Sequence, residues 1–349
     1  MARIKSMPQT PINDSMMKPD DQGGLFGEAA PAKETDILGE SHSLYLAMVK
    51  GFHEICMKLK IEETVDCNPL RLHIESLISY LKKDERMLLG LANAPYSYVI
   101  RQAELPPEGM IAIHSANSAV YAMKIFLELA VPQNRMPYLG IASLCTHLGL
   151  LDAPQDLLLG LDSAPNAAKL LADFEEKSRK YVAKMRIDNF HMESIEALLS
   201  LVKEEQQALS KTSLNEAIHQ YAMVIHICDI FETLTHQRGY GEIFAPVDAM
   251  KKMRDEMKDY FNQDIIKFFF NKLSIYPLGS FVKLSSEETA KIVGVNENFI
   301  MRPVIFIVLD PEGREKPEPV KINLRERPTL YIKKAIMDEF LCEKYISLF

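Results

Sequence analysis

Nine histidines in 349 residues raise metal ligation first, because imidazole is, besides thiolate, the commonest side-chain ligand for transition metals. Most stand alone. His219, His226 and Asp229 do not: spacings of seven and three on one helical stretch bring them near one face, where two imidazoles and a carboxylate could converge on an ion. The same row also fits a hydrated or hydrogen-bonded helix face, and spacing alone favours that plainer reading. Other chemistry lacks its signatures. There is no G-x-x-x-x-G-K-[ST], no G-x-G-x-x-G after a strand, no H-E-x-x-H and no G-x-S-x-G. Five scattered cysteines without a C-x-x-C pair suggest neither a disulfide framework nor a zinc knuckle, and they fit a reducing compartment.

The chain exceeds the ~250 to 300 residues at which one core usually stops growing. One large domain with appendages, or two modest ones, is expected. Forty basic against 48 acidic residues, a net charge of -8, argue against binding a nucleic-acid polymer, which rests on neutralising phosphates. The opening residues lack the apolar stretch of a signal peptide. The most apolar window, residues 138–151, is broken by Ser143, Thr146 and His147 and is too short for a bilayer. A cytoplasmic chain with no membrane partner is therefore expected.

Residues 1–41, with four prolines and no periodicity, read as a disordered tail. Leu44, Met48, Phe52, Ile55 and Leu59 then mark an amphipathic helix, and Cys67-Asn68-Pro69 opens a second one through Leu70, Ile74, Leu77, Ile78 and Leu81, the pair forming a hairpin. Further helices are expected at about 110–130, 135–150, 166–187, 191–209, 214–236 and 246–271, between proline breaks. After Tyr276-Pro277-Leu278-Gly279 the texture changes to β-branched runs at 281–284, 292–295, 304–309 and 320–324, which predict a small antiparallel β unit. Residues 329–349 read as a closing helix. The fold class is mainly α, divided as 1–41, 42–71, 72–275, 276–328 and 329–349.

Taken in order, several segments resemble the HD-GYP domain, a family of bacterial metal-dependent phosphohydrolases that cleave cyclic di-GMP at a two- or three-metal centre. Ile113-His114-Ser115-Ala116-Asn117-Ser118-Ala119-Val120 is similar to its H-S-x-N-x-A helix, and Leu139 to Leu144 precedes the place of its H-D-x-G-K signature. Asp229-Ile230-Phe231-Glu232-Thr233-Leu234-Thr235 is similar to D-x-[FY]-[DE]-A-L-T. Arg238-Gly239-Tyr240 follows where R-P-Y is usual, and Tyr276 to Ser280, Val295 to Asn298 and Arg302-Pro303-Val304 look like the closing β segment. The resemblance runs from about Leu72 to Leu324 and implies an HD-domain-like helical bundle with a C-terminal β unit.

The chemical positions depart from that pattern. Thr146-His147-Leu148-Gly149-Leu150 stands where the family has His-Asp-x-Gly-Lys, so the carboxylate that bridges two ions there is an imidazole here. The adjacent-histidine signature is missing from the stretch around Lys203 to Thr212, and the alignment of His191 stays open. Of the metal positions the resemblance implies, His114 and Asp229 are retained, and they read as vestigial. The first expectation is a catalytically degenerate bacterial signalling or regulatory module with no cofactor, binding a protein partner or a cyclic dinucleotide. The alternative is a divergent phosphohydrolase that holds one iron or manganese on His114, His147, His226 and Asp229.

Overall fold

The computed structural model describes residues 34–106, 109–152, 177–189, 192–207, 216–236, 243–296 and 299–349. The expected tail up to residue 33, His191, the first part of the expected 166–187 helix, the stretch 208–215 and the Arg238-Gly239-Tyr240 segment lie outside them. The helices are α1 (Glu34–Ile61), α2 (Asn68–Lys83), α3 (Arg86–Ala92), α4 (Tyr96–Gln102), α5 (Met110–Glu128), α6 (Met136–Cys145), α7 (177–184), α8 (Met192–Gln207), α9 (Glu216–Thr235), α10 (Pro246–Asp255), α11 (Gln263–Leu273) and α12 (Glu339–Lys344). The first of these begins at Glu34, inside the stretch that composition assigned to the tail.

Helix α5 is the axis of the helical part. Every residue from Ala112 to Phe126 is buried, the polar His114, Ser115, Asn117, Ser118 and Lys124 among them, so this helix has no solvent face along that stretch. Its length and hydropathy would also suit a bilayer, yet α1, α2, α3, α6, α9 and α11 enclose it in one continuous core. The α1–α2 hairpin forms as expected. Asp66 Oδ1 accepts both the backbone and the side-chain N–H of Asn68 at the start of α2, and Asn68 Oδ1 accepts Asp188 N–H at 3.0 Å. That contact belongs to a clasp in which β1 (Val65–Asp66) pairs in parallel with β2 (Met185–Arg186).

The helix expected over 246–271 is two helices, because Asn262 caps a new start, its Oδ1 accepting Asp264 N–H and Ile265 N–H. The β unit is a five-stranded antiparallel sheet in the order β6 (Glu315–Asn323), β5 (Val304–Leu309), β4 (Thr289–Gly294), β3 (Phe281–Leu284), β7 (Ile332–Ile336). The fifth strand corrects the expected 329–349 helix. Ile332-Lys333-Lys334-Ala335-Ile336 pairs along β3, and only Glu339–Lys344 is helical. Pro317 and Pro319 sit in β6, which forms an edge where missing N–H donors cost nothing.

Alternation divides the sheet between two layers. Val282, Leu284, Ala290, Ile292, Ile305 and Ile307 pack towards Val247 at the start of α10, whereas Phe281 and Val308 pack under Leu341 of α12. The turn into β3 needs a left-handed residue pressed on a helix, and Gly279 supplies it: φ is +86°, and a Cβ there would stand 2.8 Å from the Cα of Gly90 in α3.

Candidate metal centre

Two helices present matching rows to each other. On α5, His114, Asn117 and Tyr121 lie at i, i+3 and i+7, and Asp229 and Glu232 of α9, with His236 just past its end, keep the same spacing. A third contributor comes from the turn after α6, which ends at Cys145 where the sequence suggested a helix continuing to 150. That early ending places His147 in the turn, beside the α5 row.

The atoms meet closely. His114 Nε2 is 2.7 Å from Asp229 Oδ1 and 3.1 Å from His147 Nδ1, and His147 Nδ1 is 3.4 Å from the same Asp229 oxygen. Among the described residues, His114, His147 and Asp229 form a group whose donor atoms all fall within 4.8 Å of one another. On its other side His114 Nδ1 meets Glu232 Oε2 in a short contact. Glu232 is fully buried, and its Oε1 accepts Tyr96 O–H at 2.5 Å and Asn117 N–H at 3.1 Å. Tyr45 of α1 donates in turn to Asn117 Oδ1 at 2.5 Å, and His236 stacks on Tyr96 with centroids 5.2 Å apart. Burial, then the charge of Glu232, pushes the Tyr45 and Tyr121 hydroxyls up, so both stay protonated.

This arrangement can be satisfied in two ways, by a second proton on His114 or by a cation among the donors. With a proton on each ring nitrogen, His114 donates to Glu232 and Asp229 together. With a proton on Nδ1 alone, Glu232 fixes the tautomer and turns the Nε2 lone pair towards Asp229 and His147, the second-sphere carboxylate arrangement found behind ligating histidines. Two nitrogens and one carboxylate oxygen then suit one divalent transition ion. They do not suit two, because an ion pair held ~3.5 to 4 Å apart needs an anionic bridge, and His147 occupies that place. The Thr146 hydroxyl donates to Ser143 O at 3.1 Å, and its oxygen lies 3.2 Å from His147 Nδ1.

His226 falls outside the cluster, which removes it from the four-residue set the sequence allowed. Neither ring nitrogen meets a hydrogen-bond partner, and the ring lies against Phe261 with centroids 5.5 Å apart. Burial pushes its pKa down to about 4, opposed by the charge of Asp229. The unfolded chain takes up this proton below about 6.5 and the folded chain only near 4, so stability is complete above that range and falls as pH drops through it. At 1.36 kcal/mol per unit, the loss reaches about 3 kcal/mol by pH 4. His226→Phe is expected to flatten that acid limb in urea titrations between pH 7 and 4, and an unchanged slope would contradict it.

The residues that sequence reasoning missed are Glu232, Asn117, Tyr45, Tyr96 and His236. Glu232 and His236 were within reach, since they extend the Asp229 row towards the C-terminal end of α9 at helical spacing. Tyr45 and Tyr96 come from other elements, and no local spacing announces them.

A mostly helical domain enclosing a buried histidine–carboxylate cluster, closed by a small antiparallel sheet, is the class that fold and site define. Residues 281–342, which hold the sheet and the start of α12, match the KOW domain associated with HD domain. The chain is also 21% identical over 242 residues to the cyclic di-GMP phosphodiesterase PA4108 of Pseudomonas aeruginosa, a match covering 65% of this chain and 51% of that protein. The chain thus spans about half the length of the curated relative it matches. No solved structure matches it. Together these findings make the chain similar to HD-domain proteins in both its helical part and its closing sheet.

Proposed function

We propose that this chain is a regulatory member of its family in which a two-ion hydrolytic centre has been reduced to a buried site for at most one divalent cation, and that it acts by binding a protein or a cyclic dinucleotide without cleaving it. The observation that carries this reading is His147, whose ring nitrogen stands 3.4 Å from Asp229 where two ions would need a shared carboxylate. Access argues the same way. His114 and Asp229 are buried and His147 keeps only 15% side-chain exposure, too little for a dinucleotide phosphate to reach the donors in this state.

A second reading, a phosphohydrolase with one ion, is favoured by a single feature: Glu232 orients His114 as it would a ligand. On that reading His114, His147 and Asp229 hold iron or manganese, which would supply a bound water of lowered pKa. The two readings separate in one experiment. Protein purified without chelators or nickel resin should carry no more than one equivalent of iron or manganese, lost in Asp229→Asn, and should bind cyclic di-GMP, if at all, without hydrolysing it above a His114→Ala, Asp229→Asn control. Turnover that this control abolishes would overturn the regulatory reading.

A further inference from the structure

Lys291 of β4 is a fully buried lysine whose ammonium donates to three backbone carbonyls, Tyr345 O at 2.7 Å, Leu348 O at 3.0 Å and Ile346 O at 3.1 Å. Its three protons thus tie down the stretch that follows α12. The same nitrogen stands 3.7 Å from the centroid of the Phe349 ring, which lies so close to Gly90 that a Cβ there would be 2.5 Å from Phe349 Cζ. Ile346 and Phe349 pack into the helical core, while Leu341, Tyr345 and Leu348 pack with the sheet. Residues 339–349 therefore strap the β unit to α3.

The segment under this strap also reaches the histidine–carboxylate cluster. Ser97 and Arg101 on α4 hold Glu339 and Glu343 of α12, the first at 3.1 Å. Asn93, between α3 and α4, donates to Leu278 O at 3.0 Å and meets Tyr121 O–H through its Oδ1. Two residues beyond the Asn93-Ala94 step, Tyr96 delivers its hydroxyl to Glu232. One short element, residues 86–102, thus touches the strap on one side and the carboxylate behind His114 on the other.

We propose that residues 339–349 are a conformational latch: docked, they hold α3 and α4 so that Tyr96 secures Glu232 and His114, and released, they loosen that cluster. Coupling of this kind is reciprocal, so whatever rigidifies the cluster also tightens the strap. The latch requires only the buried network and not an ion within it. Failure to bind manganese would end the single-cation reading and leave the latch standing.

Hydrogen exchange on the full chain tests it. Phe349→Ala should speed exchange about tenfold in residues 86–102 and in α9 around Glu232, leaving α8 unchanged. Phe349→Leu, which refills most of the slot, should restore protection. In a Tyr96→Phe background the α9 response to Phe349→Ala should vanish, because the hydroxyl that carries it is gone. A rise spread evenly over α8 as well, no change in residues 86–102, or an α9 response that survives Tyr96→Phe would each overturn the proposal.

Discussion

Glu232→Ala should destabilise the protein by roughly 3–5 kcal/mol, the range for removing one partner from a buried ionic network. The carboxylate is fully buried and accepts from Tyr96, Asn117 and His114. Alanine strands all three donors where water cannot replace the lost acceptor, and each stranded polar group carries its own desolvation penalty. Glu232→Gln separates charge from shape. Its amide oxygen still serves Tyr96 and Asn117, but it offers an N–H to His114 Nδ1, which then must act as acceptor and move its proton to Nε2. The expected cost falls to roughly 1–3 kcal/mol, and any affinity for a divalent cation is lost with the lone pair. Urea unfolding of the three proteins measures both. An alanine variant within about 1 kcal/mol of wild type would mean that the network does not hold α5 to α9.

Gly279→Ala should cost about 3 kcal/mol or more, from two sources. A left-handed backbone conformation penalises an L side chain by roughly 1–2 kcal/mol. The added methyl would also lie 2.8 Å from backbone of α3, which cannot rotate aside as a side chain can, and overpacking of that kind adds roughly 1–3 kcal/mol. Gly313→Ala isolates the first source: φ there is +81° with nothing within 4 Å, so about 1–2 kcal/mol is expected. Equal losses from the two substitutions would show that the close approach to Gly90 contributes nothing.

Those two sites differ in how visible they are along the chain. The first helices of the core were legible because an apolar stripe repeats every three or four residues, as α1 and α2 show. The sheet was legible from β-branched runs between turn residues. What failed were boundaries decided by one polar side chain or by a distant partner. Asn262 splits the expected 246–271 helix through a cap, and Ile332 to Ile336 becomes a strand because β3 offers a free edge. Of the cluster, His114, His147 and Asp229 were named from the sequence, with His226 as a fourth. His226 shares a helix with Asp229 but turns to Phe261, whereas Glu232 at the opposite spacing faces inward. Periodicity gives two candidate directions along a helix, and only the position of α5 chooses between them. His147 enters because α6 stops early, a fact set by three-dimensional packing.

The clasp between β1 and β2 bears on the order in which the chain assembles. Its hydrogen bonds join residues as far as 120 apart, as Asp188 is from Asn68. A parallel pairing cannot be made by a hairpin, and the entropy of closing so long a loop must be met before two short strands return anything. Neighbouring pairs such as α1 with α2 and α5 with α6 carry no such burden, so the clasp is expected to close after the helices have paired and the main barrier has been crossed. Bonds formed after the rate-limiting barrier govern how fast a protein opens more than how fast it forms. The clasp is therefore expected to act as a brake on unfolding, so that Asn68→Ala should speed unfolding more than it slows folding.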